Sequence, residues 1–278
     1  MKKIGRKTIA MIVLLIGFCV FCINEFYNHR KTEIANYVEK NVIEVDANNI
    51  DRENNLKLIS ATAPIITNDI IDDGFTHAIK TIVLERKVKM FQWDERVKDD
   101  KRVYEKKWSQ DPINTKNFED KTYVNPPFPV ESKTTYSQSA MFGQYHIAQE
   151  QLKQINAEDN YVGLLPKAGF TVMRNQYFNG KDTKNPQVGD VLITYRYTKS
   201  GEEFSIIGQQ NGDTIVPMPY KLTPIYILYK GDLSTEQMIK RFKSDNFVTT
   251  NIIRLVGLLI LIFGIVLFLN PKNIFKEQ

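Results

Sequence analysis

Two uncharged apolar runs, one near each end of the 278-residue chain, constrain its fold more than any other feature. Residues 9–23 read IAMIVLLIGFCVFCI and residues 255–269 read LVGLLILIFGIVLFL. A helix rises about 1.5 Å per residue, so a hydrocarbon core of about 30 Å needs about 20 helical residues. Neighbouring residues extend both runs to that length. The sequence therefore predicts transmembrane helices over residues 8–27 and 250–270.

The basic start MKKIGRK sets the predicted orientation. A cleaved signal peptide needs small residues at its cleavage site, and FCVFCINEF offers none, which favours an uncleaved anchor. Four basic residues and no acid precede the first run, so the positive-inside rule places the N-terminus in the cytoplasm. Two spans return the C-terminus to that side. We expect residues 1–7 and 271–278 to be cytoplasmic and residues 28–247 to lie outside.

Polar and reactive side chains within the two runs are interpreted as structural. Arg254 precedes the second run, where its side chain can reach the headgroups and avoid most of the cost of a charge in lipid. Cys19 and Cys22 form C-V-F-C inside the first run, where packing is favoured over redox chemistry. Because these are the only two cysteines, the outer region contains no disulfide and depends on its hydrophobic core.

The residues between the two runs indicate an α+β fold that is rich in strands. Apolar residues at helical spacing predict a stalk over residues 28–45 that continues the first membrane helix. A β-rich domain follows over residues 46–247. Its two possible halves, about 46–130 and 165–232, are joined by the Pro-rich segment NPPFPV and a predicted helix over residues 140–156.

Strand signals are clearest in four places. Residues 79–97 form a long extended run, and residues 102–109 return along it as a hairpin. Residues 191–198 alternate apolar and polar side chains, and residues 204–209 return after a Ser-Gly turn. A helix is expected from Ser234 or Thr235, either of which can cap it.

Catalytic and metal-binding patterns are missing from the sequence. His29, His77 and His146 are far apart and lack ligand spacing, and Asp72-Asp73 before Gly74 is typical of a turn. We find no nucleophile elbow and no P-loop. The net charge of +5 comes without a stripe of basic and aromatic residues, which argues against nucleic-acid binding. The sequence predicts no enzyme, no cofactor and no metal.

Several motifs in a fixed order resemble the LUMA family, also called transmembrane protein 43. They are RKVKMFQWDE, YEKKWS, INTKNF and NPPFPVES in the first half, and NPQVGDVLITYRY, GDTIVPM and GDLSTEQM in the second. The resemblance spans roughly residues 50–250. The residues that we take as family-motif or structural positions are Met90, Gln92, Trp93, Trp108, Pro186, Gly189, Asp190 and Gly231.

The resemblance implies a membrane protein with a large lumenal domain. Eukaryotic members lie in the endoplasmic reticulum and inner nuclear membrane, and are linked to envelope organisation and assembly with other membrane proteins. Family members commonly have several C-terminal spans, whereas this sequence has one. The composition favours a bacterial homologue in the inner membrane with a periplasmic domain.

Three functional hypotheses follow from these features. The leading one is a non-enzymatic scaffold in the lipid bilayer that assembles with itself or with other membrane proteins. The second is a membrane sensor that binds a ligand or an ion. The third is an envelope hydrolase, which would need a pocket with converging titratable groups.

The stretch VKMFQWDERV, residues 88–97, offers a candidate interaction surface at Phe91 and Trp93. Apolar residues occupy the even positions before Met90 and the odd positions after it. Such a phase change is typical of a β-bulge, which we predict near residues 90–92. We further predict that Trp93 is largely buried and packs near Trp108 across the hairpin.

Overall fold

The computed structural model, which describes residues 5–245 and 247–269, shows a β-rich domain between two long apolar helices. This mixed α+β architecture confirms the predicted fold class. The helices are α1 (Arg6–Asn41), α2 (Gln149–Leu152), α3 (Thr235–Ser244) and α4 (Phe247–Leu269). The predicted tail at 271–278 and the first four residues of the predicted N-terminal segment lie outside the described residues.

In the described part of the chain, fifteen strands lie between the two long helices. They are β1 (Ile43–Glu44), β2 (Leu58–Ile66), β3 (Ile70–Ile71), β4 (Ile79–Lys98), β5 (Lys101–Ser109), β6 (Lys133–Tyr136), β7 (Ser139–Phe142), β8 (Tyr145–Ala148), β9 (Asp159–Asn160), β10 (Thr171–Met173), β11 (Gln176–Phe178), β12 (Val191–Lys199), β13 (Glu202–Asn211), β14 (Thr214–Val216) and β15 (Ile227–Lys230).

Seven of these strands form a barrel-like sheet in the order β1-β2-β7-β8-β14-β13-β15. Because β2 also pairs with β13, the strands from β2 to β13 close into a ring. The interior is filled by buried apolar side chains, among them Ile59, Phe142, Tyr145, Phe204 and Ile206. The strands β1 and β15 lie outside this ring, at the two ends of the strand order.

The second sheet is organised around the long strand β4. Its order is β10-β11-β12-β4-β3, with β5 and β6 also pairing with β4 and β9 pairing with β12. Both sheets combine strands from the two predicted halves, about 46–130 and 165–232. Those halves therefore do not correspond to separate sheets, because each long early strand pairs with a late one.

The predicted helix over residues 140–156 is wrong for most of its length. The chain forms the β7–β8 hairpin there, and only Gln149–Leu152 is helical. Gly143 takes the left-handed φ of 59° at the turn, and a side chain at this position would overlap the Ala47 carbonyl. Strand pairing with β2 overrides the local helical spacing.

The two long helices pack against each other in antiparallel orientation. Both are long and apolar enough to cross a membrane. Small residues allow a close approach, since a Cβ atom on Gly264 would lie 2.8 Å from Leu14 Cγ. Near the other end, the Asn24 side chain donates to the Thr250 carbonyl at 3.3 Å. The pair forms a hairpin whose open end carries the β-rich domain.

Arg254 does not extend alone toward the headgroups. Its guanidinium forms a two-point ion pair with the Glu25 carboxylate on α1, and Nη2 lies 2.8 Å from Oε2. A charge in a low-dielectric environment needs such a partner to be tolerated. The pair therefore fixes the register of the two helices where they leave the apolar region.

The α1 helix continues past the apolar run as one uninterrupted element to Asn41. The helix covers residues 28–41 of the stalk predicted over 28–45, since residues 43–44 form β1 instead, and it is packed on the domain. Its residues Ile34, Ala35 and Val38 are buried against Leu58, Ile227 and Met238 of β2, β15 and α3. The α3 helix begins with the expected Ser234 cap, completed by Gln237 as a capping box.

A buried ion pair lies in the core of the second sheet. Arg86 Nη1 is 2.7 Å from Asp73 Oδ2, and both side chains are more than nine-tenths buried. The Tyr195 hydroxyl donates to the same carboxylate at 2.8 Å. Burial and the adjacent Asp73 charge raise the pKa of Tyr195. Asp73 also accepts from the Phe75 and Thr76 amides, which confirms the predicted turn. The pairing of the same carboxylate with Arg86 is a second role, which the turn pattern does not predict.

We predict that Arg254→Leu lowers the free energy of unfolding, because Glu25 loses its partner in the helix pair. The double variant Glu25→Gln, Arg254→Gln should recover most of that loss. Denaturant unfolding of the full chain in detergent micelles measures both. An unchanged stability in Arg254→Leu would contradict the ion pair and favour an arginine solvated by headgroups.

We predict that Arg86→Met lowers the free energy of unfolding by about 3–5 kcal/mol, since it leaves the Asp73 carboxylate buried without its cation. The control is Arg96→Met, because Arg96 pairs with Asp94 at an exposed site, where an ion pair contributes little to stability. Adding Asp73→Asn to Arg86→Met should recover stability. Equal losses in Arg86→Met and Arg96→Met would refute the proposed importance of burial.

Candidate functional site

The stretch at residues 88–97 runs straight through β4, and the predicted bulge is wrong. Pairing of β4 with β5 is continuous from Met90 opposite Ser109 to Lys98 opposite Lys101. Gln92 is 1% exposed and lies on the same inner face as Met90. The even positions of β4 therefore stay on the inner face through Gln92. The sequence pattern only appears to shift because the inner position 92 holds a polar side chain.

Gln92 is buried because both ends of its amide are satisfied. Its Nε2 donates to the Asp111 carbonyl at 3.1 Å, and the Ile113 amide donates to its Oε1 at 2.9 Å. A buried amide without such partners would cost about 1–3 kcal/mol. Gln92 thereby fixes the chain that follows β5 against the inner face of β4.

The aromatic contacts across the β4–β5 hairpin differ from the predicted ones. Trp93 is half-buried and faces Lys106, while its ring meets Tyr123 edge-on at 4.6 Å between centroids. Trp108 lies opposite Phe91, with the ring centroids 5.3 Å apart. The register of the hairpin decides this outcome, because Trp93 and Trp108 are not cross-strand partners.

The Pro-rich segment meets β4 through Asn125. The Trp93 amide donates to Asn125 Oδ1 at 2.7 Å, and Asn125 Nδ2 donates to the Trp93 carbonyl at 3.0 Å. This side chain therefore replaces a neighbouring strand. Pro126 and Pro127, which follow, have no N–H to donate, so a backbone ladder cannot continue there.

The segment NPQVGD meets the same part of β4. The Phe91 amide donates to the Asp190 carbonyl at 2.8 Å, and the Gly189 amide donates to the Phe91 carbonyl at 2.9 Å. Gly189 has a φ of 97°, and a Cβ atom there would lie 3.1 Å from Pro126 Cγ. A larger residue would strain the backbone and crowd the proline.

The structure brings most of the family-motif residues together, with one exception. Met90 is buried in the core below this junction, and Pro186 is half-buried at the turn that leads to Asp190. Gly231 lies elsewhere, between β15 and α3, where a φ of 111° lets its amide donate to the Glu203 carbonyl. Gly231 therefore shapes the membrane-facing side of the domain.

An open groove of about 760 Å³ lies at this junction. We call it the junction groove. Its lining combines apolar residues with polar and charged ones. The lining residues are Gln92, Gln110, Asp111, Pro112, Ile113, Asn114, Thr115, Lys116, Asn125, Pro126, Pro127, Phe128, Glu131 and Ser132. Phe91 and Trp93 are not among these lining residues, and their half-buried rings pack against Trp108 and Tyr123.

Charged residues hold the loop beside the groove. Glu95 accepts from the Tyr104 hydroxyl at 2.7 Å and from the Glu119 amide at 2.6 Å. These hydrogen bonds hold the pKa of Glu95 below its ordinary value. Arg102 also pairs with Glu95 at 2.6 Å. The loop that forms the groove wall is thus attached to β4 at Gln92 on one face of the strand and at Glu95 on the other face.

The histidines and acidic residues form no metal site within residues 5–245 and 247–269. His77 Nε2 lies 2.8 Å from the Tyr161 hydroxyl, and His146 is 3.8 Å from Asp213 at an exposed position. Each is an isolated polar contact. The groove therefore offers shape and hydrogen bonding rather than a cluster of titratable groups.

Comparison with known proteins bears on the same junction. The sequence model of a family described as Transmembrane protein 43 matches residues 89–277, from β4 through the second apolar helix. The chain belongs to the transmembrane protein 43 family. The resemblance found in the motifs is thereby confirmed, and the chain is an integral membrane protein.

The relatives of this transmembrane protein 43 family member are distant. The chain is 24% identical over 233 residues to the Transmembrane protein 43 homolog of Drosophila melanogaster, a match that covers 75% of this chain and 61% of that protein. It is 23% identical to the Pongo abelii protein and 22% identical to the Homo sapiens protein; both matches cover 94% of this chain and 72% of the relative. No solved structure matches the chain significantly.

We predict that Asn125→Asp lowers the free energy of unfolding by about 1–3 kcal/mol, because a carboxylate cannot donate to the Trp93 carbonyl and repels it. The matched control is Asn114→Asp on the same loop, since Asn114 uses its oxygen to accept from the Lys116 amide, a role that aspartate keeps. Denaturant unfolding should separate the two variants. Equal effects would contradict a strand-replacing role for Asn125.

Proposed function

We propose that the protein is a non-enzymatic membrane scaffold whose β-rich domain binds other membrane proteins or a second copy of itself through the junction groove. Such binding would contribute to organisation of the envelope. The observation that carries the proposal is the convergence of three family-motif segments on one open groove. Those segments are MFQW, which contributes Gln92, INTKNF, which contributes residues 113–116, and NPPFPVES, which contributes Asn125, Pro126, Pro127, Phe128, Glu131 and Ser132.

The lining of the groove supports a protein partner. Its apolar part is formed by prolines, Ile113 and Phe128, and its charged part by Asp111, Lys116 and Glu131. Protein interfaces usually combine apolar and polar residues in this way. The groove is open and its walls are held by hydrogen bonds to β4, so a partner would meet a preformed surface.

The membrane helices support the same proposal. An anchored domain searches for membrane partners at a high effective concentration, so modest contacts suffice for assembly. The Lys7 ammonium lies 6.0 Å from the Phe268 ring, so the start of α1 and the end of α4 share one end of the helix pair. Together with the basic N-terminus, this favours cytoplasmic termini and a periplasmic domain, and the composition favours a bacterial inner membrane.

A ligand- or ion-binding sensor is the alternative. The uninterrupted α1 helix favours it, because a helix that runs from the apolar region into the domain core would transmit a change in either direction. A sensor would show a ligand-dependent stability, whereas a scaffold would show partner-dependent assembly.

The proposal is tested by site-specific photo-crosslinking of the full chain in native membranes. A photoreactive amino acid at Pro127 or Lys116 reports on the junction groove, and one at the exposed Lys153, directly after α2, serves as the control. We expect light-dependent adducts from the groove positions only. An adduct of twice the chain mass would identify self-assembly, and another mass would identify a partner.

Two outcomes would contradict the proposal. One is the absence of adducts at both groove positions. The other is equal labelling at the groove and at Lys153, which would indicate random collision rather than docking. Asn125→Asp, which loosens the groove wall, should reduce the adduct yield from Pro127 if docking depends on a preformed groove.

A further inference from the structure

A second cavity of about 400 Å³ lies where α1 leaves the apolar region and meets the β-rich domain. We call it the interfacial cleft. It lies on the membrane side of the domain and is separate from the junction groove. Its lining is mostly apolar. The lining residues are Ile23, Phe26, Tyr27, Arg30, Lys31, Ile34, Leu222, Thr223, Pro224, Ile225, Tyr226, Ile227 and Phe242.

The length of α1 places this cleft at the bilayer surface. The helix rises about 30 Å over the twenty residues 8–27, which matches the hydrocarbon core of a membrane. Tyr27 then lies at the headgroup level, where aromatic residues are common. The mouth of the cleft therefore faces the boundary between acyl chains and headgroups.

Exposed apolar side chains around the mouth agree with that position. Leu222 is 83% exposed at the tip of a loop of the domain, and Phe26 is 59% exposed on α1. Large apolar groups at such exposure are unfavourable in water and favourable against lipid. The loop with Leu222 thus reaches toward the membrane beside α1.

The polar end of the cleft has an unused hydrogen-bond donor. Arg30 Nη1 pairs with Glu33 at 3.0 Å, whereas Arg30 Nη2 is buried without a hydrogen-bond partner within the described residues. A buried guanidinium nitrogen without a partner is costly, so its position indicates an acceptor that the cleft would receive. Guanidinium groups bind phosphate oxygens particularly well.

The charges around the cleft favour an anion. Lys31 lies over the Phe242 ring at 5.2 Å and donates to the Asp245 carbonyl, and Lys221 pairs with Glu33. Arg241 lies over the Tyr229 ring at 4.4 Å. The charged residues in the cleft lining are the cations Arg30 and Lys31, while the carboxylate of Glu33, which is outside the lining, pairs with both Arg30 and Lys221. Cations therefore predominate.

We propose that the interfacial cleft binds one anionic phospholipid, with an acyl chain against the apolar lining and the phosphate on Arg30. The cleft volume lies within the range of about 300–1,000 Å³ that is common for small-molecule sites. The lipid would link α1, the Leu222 loop and α3. The proposal does not depend on a partner in the junction groove.

Native mass spectrometry of the full chain, released from nanodiscs, tests the proposal. One set of nanodiscs contains phosphatidylcholine alone and the other contains phosphatidylcholine with phosphatidylglycerol. We expect one retained phosphatidylglycerol per chain from the mixed nanodiscs. Arg30→Gln should weaken retention about tenfold, equivalent to about 1.4 kcal/mol.

The matched control is Lys40→Gln, which removes an exposed cation from the same helix away from the cleft. It should retain phosphatidylglycerol like the unaltered chain. A second variant, Thr223→Trp, fills the cleft without changing charge and should also lose the lipid. Melting temperatures in phosphatidylcholine nanodiscs verify that each variant is folded.

Three results would overturn the proposal. Equal retention of the neutral and the anionic lipid would indicate unselective annular lipid. Unchanged retention in both Arg30→Gln and Thr223→Trp would place the lipid elsewhere. Displacement of the lipid by inorganic phosphate alone would identify the occupant as a free anion rather than a phospholipid.

Discussion

The antiparallel packing of the two apolar helices is the constraint on which the rest of the structure depends. Because α1 and α4 run side by side, the β-rich domain must begin and end at the same end of the pair. The Glu25–Arg254 ion pair and the contact of Gly264 with Leu14 fix how the helices align. The continuation of α1 into the domain core then leaves little freedom between membrane and domain.

The long strand β4 organises the second sheet, because most of its other strands pair with β4. The first half of the strand joins the core through the Arg86–Asp73 pair, and the second half carries the junction at residues 91–93. Polar side chains at two even positions, Arg86 and Gln92, bind segments that are remote in sequence. Both the rigidity of the sheet and the shape of the groove therefore come from hydrogen bonds to a single strand.

The sequence predicts some of these features well because their causes are local. Membrane helices need only length and apolar composition, and the β4–β5 hairpin and the helix cap at Ser234 follow from short patterns. The family motifs can also be recognised in the sequence, because each is a short run of consecutive residues. Gln92 and Arg86 interrupt the apolar pattern of the inner face, and the sequence does not explain them because their partners, near Asp111 and Asp73, become neighbours only after folding.

Other features had no local signal at all. Residues 140–156 have helical spacing, yet pairing with β2 makes most of that segment extended or irregular. Asn125 looks like an ordinary residue before prolines, and its role as a substitute strand depends on Trp93. The partner of Arg254 lies 229 residues away at Glu25, and only the packing of the two helices brings these residues together.

Hydrogen–deuterium exchange of the full chain in lipid nanodiscs tests the central claim, that membrane helix and domain form one packed body. The amides of residues 28–41 are the decisive region, since they lie beyond the predicted span. A helix docked on the core should exchange as slowly as β2 and β13. Rapid exchange across residues 28–41, with slow exchange on either side, would show a flexible tether and contradict the account.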